Sequence, residues 1–285
     1  MIKHYLKVAF RNLMKYKMQS FVSIIGLAVG FTCFALSALW IRYEMTYDNF
    51  HKGSDRIYMV RAHYANEPGT SNFTPYPLME YLQDKMPEIE AVTAFTPHHV
   101  KFRLEETEQE VGMIDADSVF MNFFDIQLLK GTVNFLKSDG QEVAITKEFA
   151  KRLFSKEEDA LGKEVEVGRR VCKIGAIVSG WSNHSNIPYN ILAPARHSPR
   201  WGSSNEQLFI RVRERTDIDA FRTKMSTIRI NDIEKESELS DLLITRMSAL
   251  RYSDYVDKAD VVISFSYIFY FSLAGGLVII CYSII

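Results

Sequence analysis

Few residues in this 285-residue chain are spaced for chemistry, and each such set has a plainer use. His98 and His99 are adjacent; neighbours on a strand point to opposite faces, so the pair suits a metal poorly. Asp115 and Asp117 would share a strand face, where solvation explains two carboxylates better than acid–base work. Gly162-Lys163 lacks the glycine loop that precedes the lysine in a phosphate-binding loop, and no G-x4-G-K-[ST] occurs. Neither G-x-S-x-G nor H-E-x-x-H is present. Asn72-Phe73-Thr74 and Asn183-His184-Ser185 fit a glycosylation pattern but read as ordinary loop residues. Phe120, Phe123, Phe124 and Phe135 read as core. The expectation is therefore a protein that is not an enzyme, with no catalytic, cofactor-binding or metal site.

The informative chemistry is that of a membrane. Residues 21–41 carry no charged side chain. A helix of about 20 residues crosses the roughly 30 Å hydrocarbon core of a bilayer and satisfies its own backbone there. A cleaved signal peptide would have a shorter apolar run and a small-residue cleavage site; this run is longer and ends in Leu39-Trp40-Ile41-Arg42. Before it stand Lys3, Lys7, Arg11, Lys15 and Lys17, with no acidic residue, so the N-terminal side is expected in the cytoplasm. Tyr5, Leu6, Phe10, Leu13, Met14 and Met18 recur at helical spacing, which predicts a basic amphipathic helix over 1–20 at the lipid interface. Gly26 and Gly30 form a G-x-x-x-G pair that would let a second helix approach.

Net charge is −1 overall, but 1–20 holds five basic residues and no acidic one. Residues 42–260 hold 29 basic and 35 acidic residues, a net of −6, which gives no footing for nucleic acid. Of the three cysteines only Cys172 lies in that segment, so it closes no internal disulfide, and Cys172 reads as a small buried strand residue.

Along the chain, 48–55 is polar and turn-rich, and 56–64 alternates apolar and polar residues, which predicts a strand. Residues 75–86 predict a helix, 89–102 and 110–117 strands around a turn at 105–108, and 118–124 an aromatic turn or helix. Residues 142–145 read as a strand, with Thr146 capping a helix to Phe154. Strands follow at 164–167 and 170–179, then a loop-rich stretch over 180–199, a strand at 207–212, a helix at 217–230 and a last strand at 242–247. Residues 261–285 are again uncharged and predict a second span, with the chain stopping there as a truncated piece of a longer protein.

This order of features resembles a known family. The stretches that carry the likeness are Tyr47-Asp48-x-Phe50-His51-x4-Arg56-Ile57-Tyr58, then Ala116-Asp117-x2-Phe120-x2-Phe123-Phe124-x4-Leu128-Leu129-x-Gly131. Val143-Ala144-Ile145-Thr146-x3-Ala150-x2-Leu153-Phe154 and Leu161-Gly162-Lys163 follow. Together, between two spans, they resemble the permeases of the MacB/FtsX family of ABC transporters, the long Bacteroidetes type with a MacB-like periplasmic core domain.

The resemblance implies an α+β extracytoplasmic domain over 42–260, in two subdomains with an insertion near 90–205, between spans at 21–41 and 261–285. It implies a non-catalytic subunit in the bacterial inner membrane that exports or extracts an envelope substrate by mechanotransmission from a cytoplasmic ATPase. ATP would sit on that partner, with no cofactor in this chain. Further implied partners are membrane lipid, a second permease half and a periplasmic adaptor. The rival reading is a two-span sensor whose outer domain binds a ligand.

Overall fold

The computed structural model describes residues 2–64, 69–181, 184–228, 239–252 and 274–276. Two compact units emerge: Met1–Thr46 with Val261–Ile285, and Tyr47–Asp260.

In the first unit, helix α1 (Ile2–Lys15) carries Lys3, Lys7, Arg11 and Lys15, and helix α2 (Lys17–Glu44) carries Lys17 and the apolar run. The expected amphipathic helix thus ends at Lys15, and the chain breaks at Tyr16. At about 1.5 Å per residue the 28 residues of α2 reach about 42 Å, longer than the hydrocarbon core. It is the one helix among the described residues long and apolar enough to cross a membrane. The expected second span lies outside the described residues, apart from a helical stretch at 274–276.

The second unit is built on a sheet of eleven strands among the described residues. The strands are β1 (Ile57–Tyr64), β2 (Thr74–Pro75), β3 (Ile89–Leu104), β4 (Thr107–Ala116), β5 (Leu128–Gly131) and β6 (Glu142–Thr146). They continue with β7 (Glu164–Val167), β8 (Arg170–Val178), β9 (Ile191–Pro194), β10 (Ser204–Val212) and β11 (Leu239–Arg246). The order is β11-β1-β10-β3-β4-β9-β6-β8-β5, with β2 on β10 and β7 bridging β3 and β8. Helices α3 (Pro77–Lys85), α4 (Ser118–Phe123), α5 (Lys147–Leu153) and α6 (Ile218–Ser226) cover it. The helix expected over 217–230 closes at Ser226, where Thr227 caps it.

Strand β3 joins the two ends of the sheet. Its first half pairs with β10, Gln207 opposite Phe95, and its second half pairs with β4 from Thr96 onward. The strand expected over 56–64 is β1, and it is buried on both faces. Ile57 and Met59 enter one core cluster with Phe95, Phe120 and Phe209, while Tyr58, Val60 and Ala62 enter another with Leu78, Leu82 and Phe221. The period of two divides the strand between two cores. The polar Arg61 is tolerated because its guanidinium donates to Asn72 Oδ1 at 2.9 Å. A third cluster forms around α5, where Phe149 meets Phe102 edge-on at 5.0 Å. Cys172 is buried in β8 as expected, and burial pushes its thiol up to about 11.

Strand β9 was not legible: it lies inside the stretch expected to be loop, yet it sits between β4 and β6 with Ile191, Leu192 and Ala193 all buried. A strand of four residues, three of them apolar in a row and the last a proline, gives no period to read. Gly112 permits the chain before β9 to approach, since a Cβ there would fall 2.5 Å from the Pro188 carbonyl oxygen.

Candidate functional site

The Tyr47-Asp48-x-Phe50-His51 stretch begins the domain just past α2, and it folds into a buried polar node. Asp48 has φ 58°, a left-handed conformation that Asp tolerates better than most residues. This turn points its carboxylate inward, where it is fully buried. Oδ1 accepts from Ser185 Oγ at 2.5 Å. Oδ2 accepts from the Asn186 backbone N–H at 3.1 Å and from Asn186 Nδ2 at 2.6 Å. The Asp48 N–H in turn donates to His184 O at 3.2 Å. Burial raises the Asp48 pKa, against the lowering effect of these donors.

An aromatic shell closes over the node. His51 lies 4.3 Å from Phe50, 5.1 Å from Phe124 and 4.8 Å from Trp181, ring centre to ring centre. Trp181 Nε1 donates to Ile187 O at 2.9 Å, fixing the loop that carries Ser185 and Asn186. His51 Nε2 is buried without a hydrogen-bond partner among the described residues, with Asp48 Oδ1 4.0 Å away. Burial, aided by the Arg211 charge, lowers the His51 pKa to about 4, so the ring is neutral at pH 7.

The node also ties in the end of the domain. Asn186 Nδ2 makes a long 3.5 Å contact with Met247 O. More firmly, Arg246 Nε and Nη2 donate to Asp55 O at 3.0 and 2.8 Å. Strands β1 and β11 are antiparallel neighbours with Tyr58 opposite Arg246. Asp55, just before β1, and Arg246, at the end of β11, are therefore neighbours joined by side-chain-to-backbone bonds.

A second polar cluster lies on the far side of β10. His197 stacks on Tyr76 at 3.9 Å, with Asp117 and Glu206 each 3.7 Å from one of its ring nitrogens. Burial pulls its pKa down, but the two carboxylates outweigh that and hold it at about 9.

The residues singled out from the sequence fall as follows. Lys3, Lys7, Arg11 and Lys15 are spaced four apart along α1, and Lys17 opens α2; Lys7, Arg11, Lys15 and Lys17 are exposed. Gly30 is buried and Gly26 half-buried on α2. His98 donates to or accepts from Asp115 Oδ2 at 2.9 Å. Asp115 and Asp117 do not share the solvated face expected of them: Asp117 caps α4 by accepting from Phe120 N–H at 2.9 Å. Among the described residues no group of three or more His, Cys, Asp or Glu has metal-holding geometry. Phe120, Phe123, Phe124 and Phe135 are core, as expected. The roles of Ser185 and Asn186 were missed, since they lie in a stretch read as loop; the polar Asn183-His184-Ser185-Asn186 run was the available signal.

A sequence profile of the MacB-like periplasmic core domain matches residues 20–228. No curated protein matches the chain by sequence. Among solved structures, a domain assigned to a permease protein from Porphyromonas gingivalis superposes with a TM-score of 0.56 at 18% identity, covering 75% of this chain and 96% of that one. The extracellular domain of the noncanonic ABC-type transporter YknZ from Gram-positive bacteria gives 0.48 at 15% identity, over 66% of this chain and 99% of its own. The periplasmic region of MacB from Actinobacillus actinomycetemcomitans gives 0.49 at 12%, over 70% and 92%. The profile spans well over half of the sequence and the first of these structures shares the fold, so this chain belongs to the family of MacB-like periplasmic core domains.

Proposed function

We propose that this chain is the non-catalytic permease subunit of an ABC transporter and works by mechanotransmission. In this reading α2 spans the bacterial inner membrane with its N-terminus in the cytoplasm, and residues 42–260 lie in the periplasm. A separate cytoplasmic ATPase binds ATP and moves the spans of two paired permease halves. The domain passes that motion to an envelope substrate or an adaptor for export or extraction. The basic stripe of Lys3, Lys7, Arg11 and Lys15, with Lys17, meets lipid headgroups or the ATPase, and Gly26 and Gly30 admit a neighbouring helix.

The observation that carries the reading is the Asp48 node. A carboxylate buried against the net cost of desolvation is a poor stabiliser. Its position favours another use: it fixes the segment that follows α2 to a core loop, so a displacement entering at Tyr47 is delivered to the sheet instead of being lost in a hinge.

The test is affinity purification of the tagged chain from its native membranes, trapped with ATP and vanadate. The expected result is stoichiometric recovery of an ATPase with a phosphate-binding loop. Recovery of a kinase or cyclase instead would favour the sensor, and recovery of no ATPase would remove the proposal.

A further inference from the structure

The turn between β7 and β8 borders a cavity of about 330 Å³ whose lining includes none of the node residues. Its floor is apolar, formed in part by Val143, Cys172 and Ala193. Its rim is basic: Arg169 on the turn, Arg170 opening β8, and Arg196 just past β9. Arg196 is engaged, its Nη2 donating to Asp139 O at 2.8 Å and pairing with the Asp139 carboxylate. Arg169 and Arg170 are exposed and make no ion pair among the described residues. The one carboxylate on the lining, Asp115, is already matched by His98.

This arrangement runs against its background. Residues 42–260 carry a net charge of −6, yet two unmatched guanidinium groups converge on one concavity. Low-dielectric walls focus such a field inside a cleft. A guanidinium presents a planar fork that fits carboxylate and phosphate oxygens in pairs. The volume is that of about ten waters at about 30 Å³ each, enough for an anionic head and a short chain. The apolar floor suits the chain and the rim suits the head.

We infer that this cavity is a binding site for a small amphipathic oxyanion, a phosphate or carboxylate head on a short apolar body, with Arg169 and Arg170 holding the head. The site does not depend on ATPase coupling and stands or falls separately from the transport reading.

The experiment is calorimetric titration of the full chain in phosphatidylcholine nanodiscs, with empty discs subtracted. The probes are hexyl phosphate, hexanoate, inorganic phosphate and hexanol. Hexyl phosphate or hexanoate is expected to bind about tenfold or more tightly than inorganic phosphate or hexanol. The R169Q/R170Q variant is expected to lose about tenfold or more of that affinity, and R169K/R170K part of it. The charge-matched pair R213Q/R215Q, on the separate surface near Arg56 and Arg246, is expected to leave it unchanged. Arg169 lies on the β7–β8 turn, Arg170 opens β8, and Arg213 and Arg215 follow β10, so glutamine is expected to leave the backbone pairing in place, and the melting curves of both variants check that they stay folded. Equal binding of inorganic phosphate, no binding of either amphiphile, or equal weakening by the Arg213 and Arg215 pair would overturn the assignment.

Discussion

Asp48 is where single atoms decide most. Removing its carboxylate leaves Ser185 Oγ, the Asn186 N–H and Asn186 Nδ2 short of an acceptor at a buried position, so Asp48→Ala is expected to cost about 2–4 kcal/mol. Asp48→Asn keeps one oxygen for Asn186 and can donate to Ser185 Oγ, and it removes a charge that burial disfavours. It is expected to stay within about 1 kcal/mol of the natural protein. Denaturant melts of both variants check this; equal losses would mean that charge, and not hydrogen bonding, holds the node. Buried His51 and partly buried His197 set a pH window. His197 has a folded pKa of about 9 against the ordinary value of about 6.5, so its contribution is complete below pH 6.5 and is lost as pH rises through 9. His51 has a folded pKa of about 4, so its contribution is complete above pH 6.5 and is lost as pH falls toward 4. Melting temperature against pH is expected to fall on both sides. His197→Phe should flatten the alkaline limb while costing about 1–2 kcal/mol at pH 7, allowing for screening, and His51→Phe should flatten the acid limb. Unchanged limbs would refute the assignment.

At the scale of elements, β9 is the seam of the sheet. It pairs in parallel with β4 and antiparallel with β6, so its four residues join the β3–β4 hairpin to the β6–β8 layer. That seam depends on the absence of a side chain at Gly112, where the Pro188 carbonyl comes close. Gly112→Ala is expected to cost about 2 kcal/mol or more through displaced backbone. Gly162→Ala, at φ 75° but facing open space, should cost only about 1 kcal/mol. Urea midpoints of the two variants compare them directly; a smaller loss at Gly112 would mean that the seam yields.

For the whole molecule, the antiparallel β1–β11 pair brings the first and last strands of the domain together, and 47–260 carries its own three core clusters. Residues 47–260 expressed without α1 and α2 are expected to be soluble and to unfold in one cooperative step. Calorimetry checks this, and a broad, non-cooperative transition would show that the domain borrows stability from the helices.

The sequence by itself determined the local layer of this protein. An uncharged run of helical length, the Thr146 cap of α5, the β3–β4 turn at Glu105-Glu106 and the long strands follow from neighbours a few residues apart, which any reader of the chain can see. Only the tertiary structure decided that β9 is a central strand, that β1 is buried on both faces, and that Asp48 meets Ser185 and Asn186 across more than 130 residues. It likewise gathered Arg169, Arg170 and Arg196 around one cavity. These are contacts between distant stretches. Hydrophobic periodicity and turn chemistry act along the chain, so they leave no mark of which strand a short apolar segment will join or which loop a buried carboxylate will find.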